Sequence, residues 1–144
     1  MVTFADTSFL FSLYGNDVHS PRALAWIRAN KAALCLSSLG EFELANALRF
    51  AEFRKSIATG EAALFWAQFE TGRTCGRLSV RICNLASVVD EAKIRSKTHT
   101  LAGGHRGFDI LHVAAALTLG AHAFLTFDGN QKKLAEAAGL QVPI

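Results

Sequence analysis

The chain has 144 residues, 51% of them hydrophobic and 19% charged, with only two prolines. That length and composition suffice for one domain with its own core, and they exclude a disordered tract, a collagen-like repeat and a linker-rich array. Fifteen Lys and Arg against twelve Asp and Glu give a net charge of +3, a modest sum that grows if several acids are sequestered in one site. A basic exterior around an acidic pocket suits a polyanionic substrate. The longest apolar runs, such as Val113 to Leu117, fall far short of the ~20 residues that a membrane span needs. The opening Met-Val-Thr-Phe-Ala-Asp lacks the basic region of a signal peptide. Cys35, Cys75 and Cys83 cannot all pair and show no Cys-x-x-Cys spacing, so a reduced, cytoplasmic protein without a membrane segment is expected.

Along the chain, Val2 to Ala5 reads as a strand running into a helix cap at Asp6-Thr7-Ser8. Ser20-Pro21 pairs a capping residue with a first-turn proline and starts a second helix. Ala32 to Leu36 is a strand closed by Ser37-Ser38, and Leu39, Phe42, Ala45 and Leu48 then follow helical spacing to Phe50. Another helix follows Thr59-Gly60, carries the aromatic stripe Phe65, Trp66 and Phe69, and ends near Gly72. Leu78 to Leu85 is expected as a strand or extended connector, and Val88 to about Thr98 as a helix capped by Ser87. Gly103-Gly104 breaks the chain before a strongly apolar helix, Phe108 to Leu119, that Gly120 ends. Ala121 to Phe127 is a fully apolar strand, and Asp128 opens the last helix with Gln131 placed for a capping box. Gln141 to Val142 adds a short final strand. No repeat interrupts this order, and near-continuous apolar strands alternating with helices predict a single α/β domain, residues 1–144, with a parallel sheet covered on both faces.

Four acids stand out against this frame. Asp6 and Asp128 each directly follow a strand, where an open parallel sheet binds ligands beyond its carboxyl ends. Each also fits a helix N-cap. Asp109 lies in the first turn of the most apolar helix, a place equally suited to complementing the helix dipole. Glu43 lies one turn into the Leu39 helix, flanked by Phe42 and Leu44, whereas Glu41 falls on a different face. Carboxylates brought within a few ångströms repel unless a hard divalent cation sits between them, and oxygen ligands suit Mg²⁺ or Mn²⁺ rather than zinc.

Four segments carry a family resemblance: Phe-Ala-Asp-Thr-Ser-Phe-Leu around Asp6, Ser37 to Leu48 around Glu43, Phe108 to Ala116 around Asp109, and Ala123 to Asp128 with Gln131, Leu134, Ala135 and Gly139-Leu140 beyond it. In this order they resemble the successive blocks of the PIN-domain ribonucleases, and most closely the VapC-type toxins of toxin–antitoxin pairs. The resemblance spans nearly the whole chain, although Glu52 to Leu101 matches only in length and helical character.

The resemblance implies a three-layer α/β/α fold with a mostly parallel central sheet, and a metal-dependent endoribonuclease that uses Mg²⁺ or Mn²⁺. Asp6, Glu43, Asp109 and Asp128 fall on the family's four acids, as catalytic and metal-binding residues. Thr7 or Ser8 resembles the hydroxyl residue that orients the first carboxylate, Asn46 the polar neighbour of the Glu, and Thr126 the equivalent support for Asp128. Glu41 competes for the Glu position, but Glu43 keeps the spacing to Asn46-Ala47-Leu48. No further acid follows Asp128 at the usual distance, so Asp128 serves alone as the fourth. The partners implied are an RNA substrate, a cognate antitoxin that covers the acidic groove, and a second copy in a homodimer.

Arg106, just before Asp109, is placed to contact an RNA phosphate or to be a solvated first-turn charge. His112, three residues after Asp109, reads as a packing or hydrogen-bonding residue rather than a general base. His99 and His105 flank the Gly103-Gly104 loop and read as solvated, with RNA contact as the alternative. The Phe65–Trp66–Phe69 stripe reads as core or dimer face rather than a base-stacking platform. Two other functions fit the same residues: a PIN fold that binds RNA or protein without cutting, and a Mg²⁺-dependent phosphohydrolase built on Asp6. Retention of all four acids disfavours the first, and Ser8 stands where such phosphatases commonly carry a second Asp.

Overall fold

Four short apolar strands form the centre of the protein in a computed structural model that describes residues 1–144. They are β1 (Val2–Ala5), β2 (Leu34–Ser37), β3 (Leu78–Arg81) and β4 (Ala121–Leu125), all parallel, in the spatial order β3-β2-β1-β4. Seven helices connect them: α1 (Thr7–Tyr14), α2 (Ser20–Ala29), α3 (Ser38–Phe53), α4 (Glu61–Thr74), α5 (Leu85–Gly103), α6 (Gly107–Thr118) and α7 (Gly129–Ala137).

Alternation along the strands splits the core into two halves. Ala5, Leu34, Leu36, Leu78 and Leu125 face one side and pack with Phe9 and Leu10 of α1, Ala23 of α2, Leu44 and Leu48 of α3, and Phe69 of α4. Phe4, Cys35 and Phe124 face the other and pack with Val88 of α5, Val113 to Ala116 of α6, and Leu134 of α7. The result is the three-layer α/β/α arrangement that the resemblance implied, with helices covering both faces of a parallel sheet as the apolar strands predicted.

Chain order sets where a site can form. The β1–β2 and β2–β3 connections step the same way along the sheet, whereas α5 and α6 carry the chain back across it so that β4 pairs with the free edge of β1. The order therefore reverses at β1, and the crevice beyond its carboxyl end lies between two diverging connections. The β1–β4 register pairs Ala5 with Leu125, and the Asp6 N–H donates to the Leu125 carbonyl at 3.1 Å, so residues 6 and 126 sit side by side.

Several boundaries differ from the sequence reading. Helix α5 starts earlier and ends later than Val88 to Thr98: Asn84, not Ser87, is its cap and accepts the Ser87 N–H at 3.1 Å, and Gly104 ends it at φ 64°. Both residues can cap, and the earlier one adds a turn. Strand β4 stops at Leu125 rather than Phe127, because Thr126 leaves the ladder to bond side chains at the crevice. The final strand is a single bridge between Ala123 and Gln141. The expected capping box at α7 is half formed: Asp128 accepts the Gln131 N–H at 2.9 Å, but the Gln131 side chain reaches Thr126 and the Asp109 carbonyl instead of returning to Asp128. The aromatic stripe on α4 is core, with Phe69 fully buried between Trp66 and Tyr14. Gly72 of α4 lies directly against the Tyr14 hydroxyl, where a Cβ has no room.

Candidate active site

At the carboxyl ends of β1 and β4 a pocket of about 400 Å³ opens, and Asp6, Glu43, Asp109 and Asp128 all line it. Each arrives from a different segment: Asp6 ends β1, Glu43 lies in α3, Asp109 in the first turn of α6, and Asp128 precedes α7. Glu41 points elsewhere and pairs with Arg73 of α4 at 3.0 Å, which leaves Glu43 as the acid of α3 in the pocket.

Asp6 and Asp128 are both helix caps and pocket residues, so the two readings of each acid hold together. Asp6 Oδ1 accepts the Phe9 N–H at 2.9 Å and the Ser8 hydroxyl at 2.8 Å. Its Oδ2 accepts the Thr126 hydroxyl at 2.7 Å. Asp128 Oδ1 accepts the Asn130 and Gln131 N–H groups, leaving Oδ2 toward Arg106. In each case the helix takes one oxygen and the crevice has the other.

Asp6 is buried, and burial pushes its carboxyl up to about 6 in spite of the bonds from Thr126, Phe9 and Ser8, which pull it down. The charge of His112 works in the same direction as those bonds, and burial still outweighs them all. Glu43 shows the opposite balance. Burial works to raise it, but the hydrogen bond from His112 and the charge of that ring hold it below the ordinary carboxylate range. His112 Nε2 lies 3.0 Å from Glu43 Oε2, and the ring is 1% exposed, so the hydrogen-bonding reading of His112 is the one observed.

Arg106 is the N-cap residue of α6 and is largely exposed. Its Nε donates to Asp109 Oδ2 at 3.1 Å and its Nη2 to Asp128 Oδ2 at 3.5 Å. The guanidinium thus stands between two of the acids. As the side chains are placed, no three His, Cys, Asp or Glu groups close around one point tightly enough to hold an ion. The donor set nevertheless fits a hard divalent cation, since the anionic atoms facing the pocket are carboxylate oxygens. With its side chain 77% exposed, Arg106 is held there by these two ion pairs and not by packing.

The supporting residues sort differently from expectation. Ser8 does orient Asp6, and Phe127 N–H in turn donates to Ser8 Oγ at 2.9 Å. Thr7 is buried with its hydroxyl on the Glu43 side, where it adds to the hold of His112 on that carboxyl. Thr126 accepts the Asp128 N–H at 3.0 Å yet gives its own proton to Asp6. Asn46 is exposed on the rim and is not the partner of Glu43, a place that His112 takes. His105 packs against Gly103, with its Nδ1 buried and unpartnered rather than solvated, and His99 is half-buried.

Other residues of the pocket escaped the sequence reading or were given another part. Asp17, His19 and Phe127 line it, and Gln131 ties Thr126 to the Asp109 backbone. Phe127 stacks on Phe9, and His19 lies over Phe127 with ring centres 4.6 Å apart. Asp17, after Gly15-Asn16, accepts the His19 N–H and the Ser12 hydroxyl, each at 2.8 Å. The turn-forming composition of that loop was the one signal for it.

The family model of the PIN domain matches residues 3–137. The chain belongs to the PIN-domain family. Solved structures agree on the fold of this PIN domain. VapC20 of Mycobacterium tuberculosis, a toxin that cleaves the sarcin-ricin loop, superposes with a TM-score of 0.69 at 19% identity, covering 96% of this chain and 95% of that one. FitAcB of Neisseria gonorrhoeae gives 0.63 at 16% identity, covering 98% and 96%. PAE2754 of Pyrobaculum aerophilum gives 0.61 at 20% identity, covering 99% and 83%. No curated protein matches the PIN domain described here in sequence. No helix of it is long and apolar enough to cross a membrane.

Proposed function

We propose that this PIN-domain protein is a metal-dependent endoribonuclease, the toxin half of a toxin–antitoxin pair, acting in the cytoplasm. The observation that carries the reading is the convergence of Asp6, Glu43, Asp109 and Asp128, from four separate segments, on one pocket at the point where the strand order reverses. The likeness in fold to VapC20 and FitAcB supports it. The four carboxylates are the groups that would hold Mg²⁺ or Mn²⁺. When bound, such an ion lowers the pKa of water and offsets charge on a phosphoryl group in flight.

The chain's own residues supply the rest. Ser8 and Thr126 fix the Asp6 carboxylate from both sides, and His112 fixes Glu43. Arg106, released from Asp109 and Asp128, is positioned to stabilise negative charge building on the scissile phosphate. Once four acids are engaged in the pocket, the basic exterior draws RNA in by counterion release. A small antitoxin covering the acidic groove and a homodimeric assembly complete the proposal.

Purified protein should cleave RNA with Mg²⁺ or Mn²⁺ and stop in EDTA. Glu43→Gln should lower the rate by at least about a hundredfold, while Glu41→Gln, which alters only the surface pair with Arg73, should keep it. Expression without a partner should arrest bacterial growth, and Glu43→Gln should relieve the arrest. Cleavage that continues in EDTA, or the reverse order of the two variants, overturns the reading.

A further inference from the structure

Beside the acidic pocket, sharing Glu43, Arg106 and Asp109 with it, lies a second hollow of about 380 Å³ whose other walls are Phe42, Asn46 and Phe108. Its volume falls within the range of about 300–1,000 Å³ found for ligand pockets. Phe42 is 63% exposed and Phe108 is 41% exposed, so two aromatic rings face solvent at the mouth of a polar site. Neither is needed by the core: the buried partners of α3 are Leu44 and Leu48, and those of α6 run from Ile110 to Ala116.

Phe42 and Asn46 stand four residues apart on α3, hence on one face of that helix. Phe108 leans on the buried His112 ring, centres 5.7 Å apart, and His112 in turn holds Glu43. One wall of the hollow is therefore fixed by the same residue that fixes an acid of the pocket. Arg106 stands at the junction of the two spaces, where a phosphate between them would meet its charge.

We infer that this hollow is a nucleobase subsite, which takes the unpaired base next to the scissile phosphate and favours adenine. Aromatic faces stack any base, and single-stranded RNA is read by stacking together with hydrogen bonds to base edges. The Asn46 amide sets N–H donors beside a carbonyl acceptor; adenine matches it on both free edges, N6 with N7 and N6 with N1, and as a purine it stacks over more of the rings than cytosine or uracil does. An apolar peptide side chain would use the aromatic rings but would leave the Arg106 charge and the Asn46 amide without matched partners. The inference rests on the ribonuclease reading of the adjoining pocket.

Binding and cleavage separate the two. Fluorescein-labelled pentamers of A, C and U are titrated into the protein in EDTA at low salt, where no cut is expected. Wild type should bind the A pentamer most tightly. Phe42→Ala and Phe108→Ala should each weaken all pentamers by about fivefold or more, the scale of one base–aromatic stack. Asn46→Leu should remove the preference for A while leaving the stacking affinity. With Mg²⁺ and an RNA of mixed sequence, the same variants should raise KM more than they lower kcat, and Asn46→Leu should flatten the base preference at one position beside the cut. The three side chains are surface-exposed, and unchanged melting temperatures check that the fold is intact. Wild type that binds no pentamer, or variants that bind and rank all three as wild type does, overturn the inference and leave the aromatic pair to a protein partner. Hollow-dependent binding without metal-dependent cleavage would instead sink the ribonuclease reading and keep the subsite.

Discussion

Glu43 Oε2 and His112 Nε2 lie 3.0 Å apart although 69 residues separate them in the chain. The pair joins α3, which packs on one face of the sheet, to α6, which packs on the other, over the end of the parallel strands. One bond thus ties together the two helical layers and aims an acid into the pocket.

Replacing His112 with Ala should therefore destabilise the protein by about 2–4 kcal/mol, from a cavity and a lost hydrogen bond to a charged group. In wild type the Glu43 pKa lies below its ordinary value of 4.5. Its contribution to stability is present above that value and lost as pH falls through the depressed one. His112→Ala should flatten this acid limb in melts followed from pH 6 to pH 3, and His112→Gln, which keeps a donor, should restore part of it. Equal melting of His112→Ala and wild type would mean that the contact ties nothing.

Asp6 has the opposite sign. Its pKa rises from 3.8 to about 6 on folding, so in that window the folded chain holds a proton that the unfolded chain releases. Stability from this group is greatest below pH 3.8 and falls as pH rises through 6, by on the order of 3 kcal/mol. Asp6→Asn keeps the capping oxygen and loses the charge. In EDTA it should melt above wild type at pH 8, with the gap closing toward pH 4. Metal-induced stabilisation of wild type should weaken as pH drops below 6, because the ion competes with that proton. A variant no more stable than wild type at pH 8 would show that the buried charge is already compensated.

The Arg106 guanidinium pairs with Asp109 and Asp128, two of the acids proposed to hold the metal ion. Its removal by Arg106→Gln should tighten Mg²⁺ binding severalfold in the absence of RNA, while slowing cleavage. Asp109→Asn should weaken Mg²⁺ binding but shift the melt in EDTA by less than about 1 kcal/mol, since it releases an exposed pair. Calorimetric titration of both variants reads the two directions. Weaker Mg²⁺ binding by Arg106→Gln would show that the guanidinium helps to build the site rather than compete for it.

Asp17 should behave unlike the four acids of the proposed metal site. Its oxygens are engaged by the Ser12 hydroxyl and the His19 N–H. Asp17→Ala would leave the buried Ser12 hydroxyl unpaired, a cost of about 1–3 kcal/mol. Hydrogen exchange at His19 and Ser20 should rise with it. Asp17→Asn should leave the Mg²⁺ response unchanged, and a lost response would make Asp17 a fifth member of the cluster.

The sequence exposed those features that depend on one element and its end. The apolar strands that lead to Asp6 and Asp128 are legible because the helix that follows each strand must be capped. Features set by two elements at once were not legible. Thr126 was expected to support Asp128 and does accept its N–H, but its second bond, to Asp6, comes from the pairing of Ala5 with Leu125. Asn46 does line a hollow with Glu43, but the hydrogen-bond partner of Glu43 is His112, supplied by the buried face of α6. Asp17 carried no periodic signal, because its place depends on how α1 and α2 turn over the crevice.

The division of each capping carboxylate between a helix and the crevice also limits how such a protein can lose its activity. A change of Asp6 or Asp128 to Ala or Gly removes a cap worth about 1 kcal/mol along with the charge, and so lowers the amount of folded protein. A change to Asn removes the charge and keeps the cap. Lineages that silence this pocket without discarding the domain should therefore do so through Asp6→Asn and Asp128→Asn, or through Glu43 and Asp109, which cap nothing.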